Sequence, residues 1–153
     1  MGFKERYERT LAEAAACCTA AGRDPRDVRV VAVSKTVDAN AVAAAIAAGA
    51  HDFGENRPDS LAEKRARFPQ ETWHFIGNVQ SRRIPDIVRD AALVHSLYQE
   101  RHVAKFDAAA AAAGKVQDVL LEVNVSGEAS QSGLAPEDVA RVLALCRSHP
   151  HAR

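Results

Sequence analysis

Short, β-rich apolar runs alternate with helix-forming stretches along the chain. This alternation limits the fold more than any single residue does. Residues Lys4 to Ala21 read as a first helix, closed by Gly22. Arg23-Asp24-Pro25 is a turn, and Val28–Ser34 is a strand. A second helix runs from Asp38 to Ala48, with Val42 and Ile46 on one face and Gly49 as its stop. His51–Gly54 is a short second strand, and Pro58 suits the first turn of a third helix through Leu61 to Arg67. Thr72–Ile76, Leu93–Ser96 and Val119–Val125 are three further strands. Between them lie a short helix over Ile84–Arg89 and a long alanine-rich one over Gln99–Ala113. A polar loop, Ser126–Gly133, precedes a last helix opened by Pro136, whose Glu137 and Asp138 complement the helix dipole. Strand and helix in turn predict a parallel α/β sheet or barrel. A complete eight-stranded barrel takes about 250 residues. This chain has 153 and about five strands, so we expect a single, incomplete domain over 1–153. Ser148–Arg153 reads as the approach to another strand.

Charge excludes some partners. Lys plus Arg total 20 and Asp plus Glu total 20, so no bulk field draws the chain to nucleic acid or an anionic membrane. No stretch approaches the roughly 20 apolar residues that span a bilayer. Met1 to Arg6 lacks the apolar core of a signal peptide. Cys17 and Cys18 are adjacent, a poor disulfide geometry, and with Cys146 they make an odd count. Reduced thiols and a soluble cytoplasmic protein are expected.

Four places carry chemistry. Lys35 follows the first strand, at the carboxyl end where parallel α/β folds gather functional groups. An amine must lose its proton before attacking an aldehyde, and partial burial favours that. This suggests a pyridoxal phosphate site, while position alone also fits a surface or ion-paired lysine. Asp52-Phe53-Gly54-Glu55-Asn56 is a strand end whose Asn56 either hydrogen-bonds a ligand ring or caps a helix. In Trp73-His74-Phe75-Ile76-Gly77-Asn78-Val79-Gln80, His74 falls on the face opposite Trp73 and Phe75, the pattern of a hydrogen-bonded core histidine. Gln80 and Ser81 could bind an anion or cap a helix. Strand period puts Glu122 and Asn124 on one face, where they need polar partners. Dinucleotide, Walker, nucleophile-elbow and zinc-protease motifs are absent, and no histidine or cysteine spacing suits a metal.

Taken in order, Ala32-Val33-Ser34-Lys35-Thr36, Phe53-Gly54-Glu55-Asn56, Trp73-His74-Phe75-Ile76-Gly77, Gln80, His95-Ser96 and Val123-Asn124-Val125-Ser126-Gly127-Glu128 resemble the pyridoxal phosphate homeostasis protein family. These are small relatives of the alanine racemase N-terminal barrel. The resemblance implies a partial TIM-type (β/α) barrel of that kind, with about five parallel strands and an added N-terminal helix. It implies that Lys35 carries pyridoxal 5'-phosphate as an internal aldimine, that Asn56 lies near the cofactor, and that His74 and Asn124 sit at the barrel mouth. The sequence departs from the family pattern at Arg57-Pro58-Asp59-Ser60, at Arg83 and at Gln131. The family's phosphate-holding groups come from later strands, so a C-terminally truncated member is expected.

The leading function is therefore a non-catalytic carrier of the cofactor in vitamin B6 homeostasis. Its expected partners are the small-molecule cofactor, cofactor-dependent apoenzymes, and further copies of itself through exposed barrel edges. An amino-acid racemase is the alternative. It needs a second acid/base, and only Tyr7 and Tyr98 are available as tyrosines. A remnant that binds no cofactor is the third reading.

Overall fold

The structure, a computed structural model, describes residues 2–153. The chain divides into two compact units, Met1–Gly54 and Glu55–Arg153.

In the first unit, helix α1 spans Phe3–Ala20. Its entry is fixed by the Gly2 N–H donating to Glu5 Oε2 at 3.0 Å. The chain leaves it through Gly22 at φ 67°, a left-handed turn that suits glycine. A 3₁₀ turn at Pro25–Asp27 follows, capped by Asp24. Strand β1 is only Ala32–Val33. It runs parallel to β2, Asp52–Glu55, with Ala32 opposite Phe53 and Val33 opposite Gly54. The strand expected over Val28–Ser34 is thus much shorter. A strand exists only where a partner offers backbone groups, and β2 offers two register positions. Helix α2, Ala39–Ala47, starts where Asp38 Oδ1 accepts the Ala41 N–H at 2.9 Å. Val42 and Ala45 are its buried residues.

The second unit holds strands β3 (Thr72–Phe75), β4 (Leu93–Leu97) and β5 (Asp118–Leu121). Each pairs in parallel with the next: His74 faces Leu93, and Val94 faces both Phe75 and Val119. Helices α3 (Pro58–Arg67), α4 (Ile84–Asp90), α5 (Glu100–Ala112) and α6 (Val139–Arg147) alternate with them. The core takes Leu61 from α3, Ile84 and Ile87 from α4, Val103 and Phe106 from α5, and Phe75, Val94 and Leu97 from the strands, all fully buried. Each large apolar side chain contributes about 1.5–3 kcal/mol by leaving water. Trp73 is buried with its Nε1–H donating to the Phe68 carbonyl at 3.1 Å.

Two boundaries differ from the sequence reading. The fifth strand ends at Leu121, not Val125. Beyond it the chain pairs with itself: Val123 bridges Leu134, and Asn124 N–H donates to the Leu134 carbonyl at 2.8 Å. Gly133 makes this possible, since its φ is 121° and a Cβ there would lie 2.6 Å from Asn124 N. The last helix opens with a 3₁₀ turn at Pro136–Asp138 before α6 begins. The expected approach to another strand is present: Val119 N–H donates to the Arg153 carbonyl at 2.7 Å, and Gln117 bridges Ala152 in parallel.

Ion pairs tie α3 to α4. Arg83 contacts Asp59 at 2.5 Å and Asp86 at 2.8 Å, and Arg89 continues the ladder to Asp86 at 3.2 Å and Asp90 at 2.7 Å. The three cysteines are free thiols, Cys17 exposed and Cys18 and Cys146 buried. Burial pushes the Cys146 thiol up.

His102 and His95 are both held below the ordinary histidine value in the second unit, and His102 is the more buried of the two by exposure. His102 is buried on α5 with Nε2 2.9 Å from Ser81 Oγ. Burial holds its pKa below the ordinary 6.5, helped by Arg101 and Lys105. The unfolded chain therefore binds a proton that the folded chain refuses, and stability falls as pH drops below about 6.5. We expect urea midpoints at pH 5.0 below those at pH 7.5, with a shallower slope in His102→Gln. Identical slopes in both proteins would exclude His102 as the source.

Candidate functional site

Lys35 stands in the turn between β1 and α2, two residues past the end of β1. Its side chain is exposed. The partial burial expected from its place is not found, because β1 stops at Val33 and Lys35 lies beyond the ladder. Among the described residues its amine makes no hydrogen bond or ion pair. The groove of the first unit, lined by Phe3, Val33, Ser34, Val37, Val42 and Phe53, runs beside this turn without including Lys35.

In the second unit the chemistry gathers at the carboxyl ends of the strands. Ile76 N–H donates to the Glu55 carbonyl at 2.8 Å, so the chain after β3 runs against the end of β2. One residue on, Gly77 packs directly on the Asn56 backbone. A Cβ at Gly77 would sit 2.1 Å from the Asn56 carbonyl oxygen. Ser96 Oγ then donates to the Gly77 carbonyl at 2.5 Å, bringing the end of β4 to the same place. Asn56 is held by its backbone, while its side chain stays exposed.

That side chain lines a cavity of about 200 Å³ with Arg57, Pro58, Asp59, Asn78, Gln80 and Arg83. The Arg83 fork is taken by Asp59 and Asp86, which raises its pKa and holds the Asp59 carboxyl below the usual carboxylate range. The structure therefore brings Asn56 and Gln80 together. Asn78 and the Arg83–Asp59 pair were not singled out as site residues from sequence. The signal was there: Arg57-Pro58-Asp59 and Arg83 are departures from the family pattern, and two of them pair with each other.

His74 is buried and joins His95, with Nδ1 2.9 Å from Nε2. Burial, then the neighbouring ring, holds His95 below its ordinary value. The core-histidine pattern holds for His74. Trp73 and Phe75 are buried as well, so β3 is covered on both faces.

Glu122 and Asn124 do not share a strand face, since both lie past β5. Asn124 instead organises the following loop. Its Nδ2 donates to the Glu128 carbonyl at 2.9 Å, and its Oδ1 accepts from Gly127 N–H at 3.1 Å and from Ser126 Oγ at 3.0 Å. Glu122 Oε1 accepts from Ser132 Oγ at 2.6 Å. No group of three or more His, Cys, Asp or Glu among the described residues could hold a metal. No helix among them is long and apolar enough to cross a membrane.

Comparison with known proteins adds three findings. Residues 12–153 match the family model for the alanine racemase N-terminal domain. The pyridoxal phosphate homeostasis protein of Pseudomonas aeruginosa is 41% identical over 136 residues, covering 88% of this chain and 59% of that protein. Two solved structures are close. A protein of Bifidobacterium adolescentis gives a TM-score of 0.87 at 30% identity, covering 98% of this chain and 66% of the other. PipY of Synechococcus elongatus, solved with pyridoxal phosphate bound, gives 0.77 at 28% identity, covering 94% and 66%. The chain thus spans less than two thirds of these relatives' length.

Proposed function

Because the chain belongs to the alanine racemase N-terminal domain family, we propose that it binds pyridoxal 5'-phosphate and serves vitamin B6 cofactor homeostasis in the cytoplasm. The family model runs through both compact units, and we take 1–153 as one incomplete cofactor-binding domain. Lys35 is the covalent anchor in this reading. Its amine would hold the cofactor, which would supply an electrophilic formyl group for it. The observation that carries the reading is the place of this lysine, just past the carboxyl end of a parallel strand in a chain of this family. Asn56 is proposed as a second contact to the cofactor, its side chain exposed and its backbone fixed by Gly77.

The role is that of a carrier, not a catalyst. The Pseudomonas relative is named for homeostasis, which supports this. Racemisation needs a second acid/base; of the two tyrosines, Tyr7 stacks on Phe3 at 5.6 Å within α1, and Tyr98 follows β4. Apoenzymes that use the cofactor are the proposed recipients. Self-association would rest on strand residues left exposed, Val33 and Leu120.

Mixing the protein with pyridoxal phosphate is expected to give the cofactor's visible absorbance at about 400 nm or above, since the cofactor supplies the chromophore. Lys35→Ala is expected to lose that band almost completely. A band that persists removes Lys35 from this role. Appreciable interconversion of D- and L-alanine by the wild-type chain would overturn the carrier reading.

A further inference from the structure

We propose that the cavity between the start of α3 and the 78–83 segment is a site for a small phosphate oxyanion, free or as the end of a phosphomonoester. Three amide side chains, Asn56, Asn78 and Gln80, line it, and none makes a side-chain hydrogen bond among the described residues. Together they offer six N–H donors. Arg57 adds five more, and its guanidinium makes no hydrogen bond or ion pair among the described residues either. The other arginine of the cavity differs. All three donor nitrogens of Arg83 are engaged by Asp59 and Asp86, so it acts as a strut that neutralises Asp59. Arg57, whose charge also acts on Asp59 without a direct ion pair, and several unused donors then line a cavity of about 200 Å³. Tetrahedral oxyanions accept several charge-assisted bonds at once, and a guanidinium fork matches their edges. Every group named lies in the second unit and Lys35 is not among them, while Asn56 is shared with the cofactor contact proposed above.

Calorimetric titration of the full chain tests it, with inorganic phosphate or glycerol 3-phosphate replacing chloride at constant ionic strength. Saturable binding of either anion is expected, and which of them binds identifies the source. Arg57→Gln is expected to weaken it about tenfold or more, and Asn78→Ala by less. Arg57→Lys, which keeps the charge but loses the fork, should fall between wild type and Arg57→Gln. Lys35→Ala should lose the cofactor band yet retain phosphate binding. The proposal is overturned if neither anion saturates, or if Arg57→Gln binds as wild type does. Loss of phosphate binding in Lys35→Ala also overturns it, because the anion would then belong to the cofactor site.

Discussion

Lys64→Met is expected to lower the stability of the second unit by about 3–5 kcal/mol. Glu55, the last residue of β2, is fully buried, and Lys64 Nζ of α3 lies 2.5 Å from its Oε1. Two charges taken out of water cost several kcal/mol each, and their mutual attraction offsets that only while both are present. Methionine fills the space of the lysine stem but removes the ammonium that neutralises the Glu55 carboxylate. The effect is local in origin, since Glu55 opens the loop that carries Asn56 and Arg57. Urea unfolding of single and double variants measures it. Combining Lys64→Met with Glu55→Gln is expected to recover much of the loss, because no stranded charge remains. A Lys64→Met protein within about 1 kcal/mol of wild type would show that the pair is not what anchors α3.

Gly77→Ala is the second large effect. Its added methyl would lie 2.1 Å from the Asn56 carbonyl oxygen and 2.7 Å from two further backbone atoms. A clash with a flexible side-chain tip relaxes cheaply, but here both sides are main chain. The Glu55–Ile76 hydrogen bond and the Ser96 contact to the Gly77 carbonyl hold the same segment from two directions. We expect a loss of about 3 kcal/mol or more, the upper part of the range for overpacking. We also expect perturbed chemical shifts in the loops after β2, β3 and β4. Ser96→Ala separates backbone contact from the hydroxyl bond, and should cost only about 1 kcal/mol. Equal losses in the two variants would mean that the glycine contact itself contributes little.

The sequence reading succeeded where local chemistry decides. Gly22, Gly49 and Gly114 have positive φ and close α1, α2 and α5 as expected. Pro58 opens α3 at the residue anticipated, and the helix ends at Arg67. It failed where partners decide. Val28–Val31 is apolar enough for a strand, yet the ladder with β2 takes in only Ala32 and Val33. Val123–Val125 alternates well, but Gly133 at φ 121° folds the 133–134 segment back onto it. Asn56, read from the sequence as a cofactor contact or a helix cap, and Gln80, read as an anion or cap group, line one cavity. The pairing of Arg83 with Asp59, 24 residues apart, left only the trace of two departures from the family pattern, because each residue alone reads as solvated surface. The His74–His95 contact was hidden for the same reason, being set by strand register and not by spacing along the chain.

Trp73 is the chain's one tryptophan, sealed inside the second unit with its N–H tied to a backbone oxygen. The indole emission is thus an optical gauge of the surroundings of Trp73 in that unit. Residues 1–54 contain Tyr7 and no tryptophan, so the long-wavelength fluorescence arises in the second unit. A single dye-free recording, set beside far-ultraviolet ellipticity, can therefore report whether the halves come apart together or in sequence.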